Sequence, residues 1–161
     1  MRRMLNSEDG RYHPKTRDEL WDLVRMDIPL GKIDIGDITD LQHVFAYSER
    51  KDFSGIETWD VSRVENMEGL FYHAEYFNGD ISGWDVSHVK TMKNMFCFAR
   101  ALTGDISSWN VSAVEDMSGM FWYADSFNGD IGDWNVNEVR NMRNMFRDAW
   151  AFNRDLHWLV G

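Results

Sequence analysis

Apolar residues along this chain follow one period, switch to another, and then start again. In residues 106–114, ISSWNVSAV, the apolar positions are Ile106, Trp109, Val111 and Val114, and the W-x-V centre alternates inward and outward as a strand does. From Val114 onward, Met117, Met120, Phe121, Ala124 and Phe127 recur every three or four residues, a spacing that predicts one face of a short α or 3₁₀ helix. Ser62, Ser87, Ser112 and Asn137 sit at the junction as expected N-caps, and Ser62 with Glu65 and Ser112 with Glu115 have capping-box spacing. NGD at 78–80 and 128–130 then predicts a turn that returns the chain to the next strand.

The unit recurs. Trp59, Trp84, Trp109 and Trp134 are 25 residues apart at each step, and so are Met67, Met92, Met117 and Met142, Phe71, Phe96, Phe121 and Phe146, and Ala74, Ala99, Ala124 and Ala149. A degenerate earlier copy, LGKIDIGDITDLQHVF at 30–45, puts Leu30, Ile33, Ile35, Ile38, Leu41 and Phe45 in matching roles with an offset of 26, and a truncated last copy reads FNRDLHWLVG. A unit this short cannot cover its own apolar face, so the copies are expected to stack as coils of a solenoid, each strand adding a rung about 4.8 Å from the last. Charge agrees with stacking: positions 65, 90, 115 and 140 read Glu, Lys, Glu, Arg, and 68, 93 and 143 read Glu, Lys, Arg. Opposite signs on neighbouring coils would fix order and register more than they stabilise.

The strings FNGDIS, WDVS, WNVS and NMxxMFxxA resemble the 25-residue repeat of the BspA-like leucine-rich-repeat family, a repeat also found in mycoplasma lipoprotein-type surface proteins; the match covers about residues 30–160. The resemblance implies an α/β fold: a short right-handed leucine-rich-repeat-like solenoid of about five 25-residue strand–helix coils, with a parallel sheet on one face. It also implies adhesion or protein binding without enzyme activity. The expected organisation is an N-terminal tail and capping helix at 1–29 and a repeat solenoid at 30–161, folded as one unit. In PKTRDELWDLVRMDI, Thr16 is the expected N-cap with Glu19 three residues on, and Leu20, Trp21, Leu23, Val24 and Ile28 the packing face.

Composition narrows the function. The 161 residues are 43% hydrophobic with two prolines, enough for one domain with a real core, and no stretch approaches the roughly 18 apolar residues of a membrane span. A net charge of −10 disfavours nucleic acid and anionic membrane as direct ligands, so the expected partner is a basic or neutral protein. Cys97 is the sole cysteine, and MRRMLNSEDGRYHPKT lacks the apolar segment of a secretory signal, which together point to a reducing, cytoplasmic setting. The five histidines show no metal-ligand spacing with that cysteine, no nucleophile has an identifiable base, and neither cofactor nor catalysis is expected.

Three surfaces compete for function. Asp34, Asp60, Asp85, Asn110 and Asn135 should form an acidic ladder on the solvent side of the sheet, either a dock for a basic segment or simple solvation of that face. Tyr72, Cys97 and Trp122, with His73, Phe98 and Tyr123 beside them, fall outside the inward helical face, where clustered rings mark either an interface or a sealed outer layer. Asp80, Asp105, Asp130 and Asp155 form a further column, for which closing their own turns is the default and calcium the alternative. At the tail, Leu156, Trp158, Leu159 and Val160 form an apolar strand-like edge that a second copy or a partner could cover. The leading reading is a non-catalytic protein-binding solenoid acting through the acidic face or the aromatic band. The alternatives are an acidic inhibitor or nucleic-acid mimic from a phage or mobile element, and a bacterial surface adhesin.

Overall fold

A computed structural model describes residues 5, 6 and 8–158. Two short strands, β1 (Leu5–Asn6) and β2 (Arg11–Tyr12), pair antiparallel, and Tyr12 bridges on to Ile33. One helix follows, α1 (Arg17–Val24), whose Glu19 N–H donates to Thr16 Oγ1 at 3.2 Å and which buries Leu20, Leu23 and Val24 in the common core. Beyond α1 the described chain contains two three-residue 3₁₀ segments, Leu30–Lys32 and Ile56–Thr58, and otherwise turns.

The strand–helix architecture with a parallel sheet and helical cap is therefore overturned. The copies do lie coil upon coil, but each coil is a string of turns. In the stretch read as helical, backbone donors alternate. The N–H groups of Met67, Gly69, Phe71 and His73 donate to Thr91, Lys93, Met95 and Cys97 carbonyls of the next coil, while those of Leu70, Tyr72 and Ala74 donate three residues back. The same alternation runs through 41–48, 92–99 and 117–124. An α-helix is excluded because every fourth residue has positive φ: Gly69 and His73, Asn94 and Phe98, Gly119 and Tyr123. The stretch read as a strand is also turned, with Trp59, Trp84, Trp109 and Trp134 N–H groups each donating three residues back. Among the described residues parallel pairing survives only as isolated bridges, Tyr12 with Ile33 and a line linking Asp40, Asn66, Thr91, Asp116 and Asn141.

The expected helix caps fail with the helix. Ser62, Ser87, Ser112 and Asn137 are instead backbone donors to Asp60, Asp85, Asn110 and Asn135, two residues back, at 3.0 Å. The charge alternation is only partly realised as contact: among the described residues Arg140 reaches Glu115 at 3.8 Å, and no ion pair joins Lys90 to Glu65 or Lys93 to Glu68.

What the repeat spacing places correctly is the core. Phe45, Phe71, Phe96, Phe121 and Phe146 stack face to face at 5.6 Å per coil. Beside them Trp109, Trp134 and Trp158 stack at 6.3 and 6.4 Å. Each indole N–H donates to a carbonyl of the preceding coil: Trp59 to Leu30, Trp84 to Ile56, Trp109 to Ile81, Trp134 to Ile106 and Trp158 to Ile131. Tryptophan thus fills the layer and ties one coil to the last with the same side chain.

Candidate functional site

The surface differs most from a plain polar coat along one line of rings. Tyr47, His73, Phe98 and Tyr123 stack in sequence at 4.8, 4.1 and 4.5 Å between centroids, interplanar angles 17°, 13° and 26°. All four have φ between 55° and 61°. A left-handed backbone costs a residue with Cβ about 1–2 kcal/mol, and Gly, Asn or Asp would sit there more easily. The next coil shows this directly, with Asp148 at φ 55° in the equivalent position.

The line has flanks. Arg100 lies 5.6 Å from the Phe98 ring and 5.7 Å from Tyr123, and its guanidinium bonds Asp125 at 2.7 Å and approaches Glu75 at 3.8 Å. Tyr72 sits edge-on to Tyr47 at 5.5 Å and to His73 at 4.5 Å, and burial first, then Tyr47 and Cys97, push its phenol above the ordinary value. Trp122 is half-buried under Arg147 at 5.2 Å, its Nε1 sealed without a partner, as is Asp125 Oδ1. Cys97 is buried, its thiol pushed up to about 12 by desolvation. His73 is held below the ordinary 6.5, first by burial and then by Arg100, with Glu75 opposing. Where the ladder begins, a groove is lined by Tyr47, Glu49, Lys51, His73, Glu75 and Tyr76.

The ring positions read from sequence, Tyr72, His73, Phe98, Trp122 and Tyr123, are thus brought together, although the helical geometry that singled them out is absent. Tyr47, 66% exposed, was missed. Its signal was the offset of 26 in the first copy, which aligns it with His73. Arg100 was also missed, and nothing in the repeat marks it.

The acidic column is differently disposed. Asp34, Asp60 and Asp85 each use Oδ1 to accept the N–H two residues on. Asp60 and Asp80 carboxyls are held below the ordinary range, first by the Ser62 and Ser82 hydroxyls and then by the backbone N–H groups of the same serines. Asp34 Oδ2 faces His13 at 3.3 Å and Arg11 at 3.9 Å, so the N-terminal segment already engages it. Asp105 closes its turn on Ser107 in the same way, and no group of three His, Cys, Asp or Glu among the described residues could hold a metal ion.

At the tail, Leu156 and Trp158 are partly buried members of the stack, while Leu159 and Val160 lie outside the described residues. No helix among the described residues is long and apolar enough to cross a membrane.

Residues 26–158 fit the model of the family described as "Mycoplasma protein of unknown function, DUF285". The chain belongs to that family. No curated protein and no solved structure matches.

Proposed function

We propose that this DUF285 member is a non-catalytic protein-binding module that takes its partner on the ladder of Tyr47, His73, Phe98 and Tyr123, with Tyr72 and Trp122 alongside. The observation that supports the reading is conformational. Four bulky residues occupy left-handed positions at the surface where Asp148 shows that a small polar residue fits. Keeping rings there costs stability, and partly exposed ring clusters flanked by arginine are what binding hot spots use. The finer resemblance to the BspA-like repeat, which implies adhesion or protein binding, agrees with this reading, as does a bacterial setting.

The test replaces rings by a residue that tolerates the same backbone. Phe98→Asn combined with Tyr123→Asn should leave the melting temperature within a few degrees, because lost stacking is offset by relief of left-handed strain. Capture of a partner from bacterial lysate should be lost in the double variant and should persist for the wild type from about 0.1 to about 0.5 M salt. Equal capture by both proteins would end the reading.

A second reading has its own observation. Asp60 and Asp85 are exposed, use Oδ1 in their turns, and are held below the ordinary carboxylate range first by the Ser62 and Ser87 side chains and then by the backbone N–H groups of the same serines. Such a fixed anionic row, on a chain of charge −10, suits an acidic inhibitor of a basic enzyme. That reading requires binding that fails steeply with salt and is competed by nucleic acid.

A further inference from the structure

One column of the stack carries its charge unevenly. Positions 49, 75, 100 and 125, in register by the same offsets of 26 and 25 that align Tyr47, His73, Phe98 and Tyr123, read Glu, Glu, Arg and Asp. Toward Asp125 the charges are matched. Arg100 bonds Asp125 at 2.7 Å, approaches Glu75 at 3.8 Å, and lies 5.6 and 5.7 Å from the Phe98 and Tyr123 ring centres. One guanidinium thus serves two carboxylates and two stacked rings. Toward Glu49 they are not matched. Glu49 and Glu75 follow one another in the column with no cation between them, and like charges on neighbouring coils repel.

The surroundings of this acidic pair repeat those of Arg100 without its cation. Glu49 is exposed, and among the described residues its carboxylate has neither an ion pair nor a hydrogen bond. Tyr47 begins the ring stack: His73 covers one face, and among the described residues no second ring lies parallel to the other. His73, held below 6.5 first by burial and then by Arg100, is an uncharged ring at neutral pH and does not repel a cation. Lys51, the cation that lines the same groove, lies 5.0 Å from the Tyr76 ring and pairs with neither glutamate. The groove offers about 510 Å³, within the range of pockets that take a small ligand.

We infer that this groove seats an arginine side chain of the partner that the ladder binds, its guanidinium held by Glu49 and Glu75 against the Tyr47 and His73 rings. The inference rests on the ladder being the binding surface and adds the chemistry of what it binds. Arginine is favoured over lysine because a planar guanidinium faces two carboxylates and lies against rings at once, as Arg100 does within the chain, whereas an ammonium is a compact, strongly hydrated point charge. A net charge of −10 draws a basic segment toward the groove, and an acidic segment would meet two carboxylates there.

The probe is a capped pentapeptide with one arginine between glycines, added to the whole chain and followed by NMR. Its shifts should saturate and concentrate at Tyr47, Glu49, His73 and Glu75. The same peptide with citrulline, which keeps the shape and loses the charge, should cause none, and a lysine peptide should bind more weakly. Glu49→Gln, at a carboxylate without a partner in the chain, should weaken the arginine peptide about threefold, and Glu49→Gln with Glu75→Gln about tenfold. Glu65→Gln with Glu138→Gln removes the same charge elsewhere and should leave affinity nearly unchanged. Continued amide protection at Phe71, Phe96 and Phe121 certifies the folded stack. Equal weakening by the two double variants, or equal binding of the citrulline peptide, overturns the inference. The ladder reading fails separately. If Glu49→Gln with Glu75→Gln captures the lysate partner as well as wild type does, while Phe98→Asn with Tyr123→Asn does not, the arginine seat is wrong and the ladder stands; if neither variant loses capture, both fall.

Discussion

At the residue scale the fold is governed by which side chains tolerate a left-handed backbone, and by what lies over them. Positions 43, 69, 94, 119 and 144 are all left-handed and read His, Gly, Asn, Gly, Asn. The alternation has a steric cause. A Cβ added to Gly69 would fall on the His43 ring, and one added to Gly119 on the Asn94 carboxamide oxygen. A side chain in one coil thus occupies the space that a side chain in the next would need. Gly119→Ala should cost about 1–2 kcal/mol, combining left-handed strain with displacement of Asn94. In an Asn94→Gly background the cost should fall measurably, leaving only the strain, as a denaturation cycle of four proteins will show. Additive effects would mean that the two positions do not share space.

His73 makes a separate prediction at this scale. Its folded pKa lies below 6.5, so between the two values the unfolded chain binds more protons and stability rises with pH. The contribution is complete above the ordinary 6.5 and is lost as pH falls through the lower folded value. Wild type measured against His73→Asn, a residue that accepts φ 55°, should lose relative stability on acidification below pH 6.5. An NMR titration placing His73 above 6.5 contradicts this.

At the scale of elements, the repeat of 25 was legible in the sequence and the form of each repeat was not. Columns of Trp, Phe, Met and Ala are read from spacing alone, because in a stack equal spacing means contact. Met67, Leu70, Phe71 and Ala74, by contrast, have helical spacing without a helix. A ribbon that bonds alternately to its neighbour and to itself also brings every third and fourth residue to one side. The one clue against a helix was Gly or Asn recurring at 69, 94, 119 and 144, in mid-element. The ladder of rings was found by right residues and wrong geometry, since the burial that separates Cys97 from Phe98 depends on turns that hydrophobic period does not encode. The element-scale test concerns tryptophan. Trp109→Phe keeps a ring in the layer but removes one of the two donors to the Ile81 carbonyl, leaving only the Trp84 N–H, which should cost about 1 kcal/mol. For a chain of this size that is a drop in melting temperature of about 2–4 °C. No change would mean that the indole acts by area alone.

For the molecule as a whole, stability is assembled from neighbours, so a fault should stay near its origin. The front end tests this. Arg25 joins α1 to the first coil through Val44 and Ala46, lies 3.1 Å from the Trp21 ring centre, and is lowered to about 10 chiefly by burial. Arg25→Met retains an apolar stem against Trp21 and removes both donors, which leaves two part-buried carbonyls unpaired at a cost of about 2–4 kcal/mol. The first coil should then open on its own. Amides of His43, Phe45 and Tyr47, bonded to Glu68, Leu70 and Tyr72, should lose protection, while Met117, Gly119 and Phe121, three coils away, keep theirs. Wild-type exchange should be fastest at Met142, Asn144, Phe146 and Asp148, whose N–H groups reach no acceptor among the described residues, and slowest at the middle of the stack. If Arg25→Met instead accelerates exchange equally in every coil, the array unfolds as one cooperative body. Contact between neighbours would then be an incomplete account of what holds it together, and the long continuous columns of Phe and Trp would have to carry the coupling from end to end.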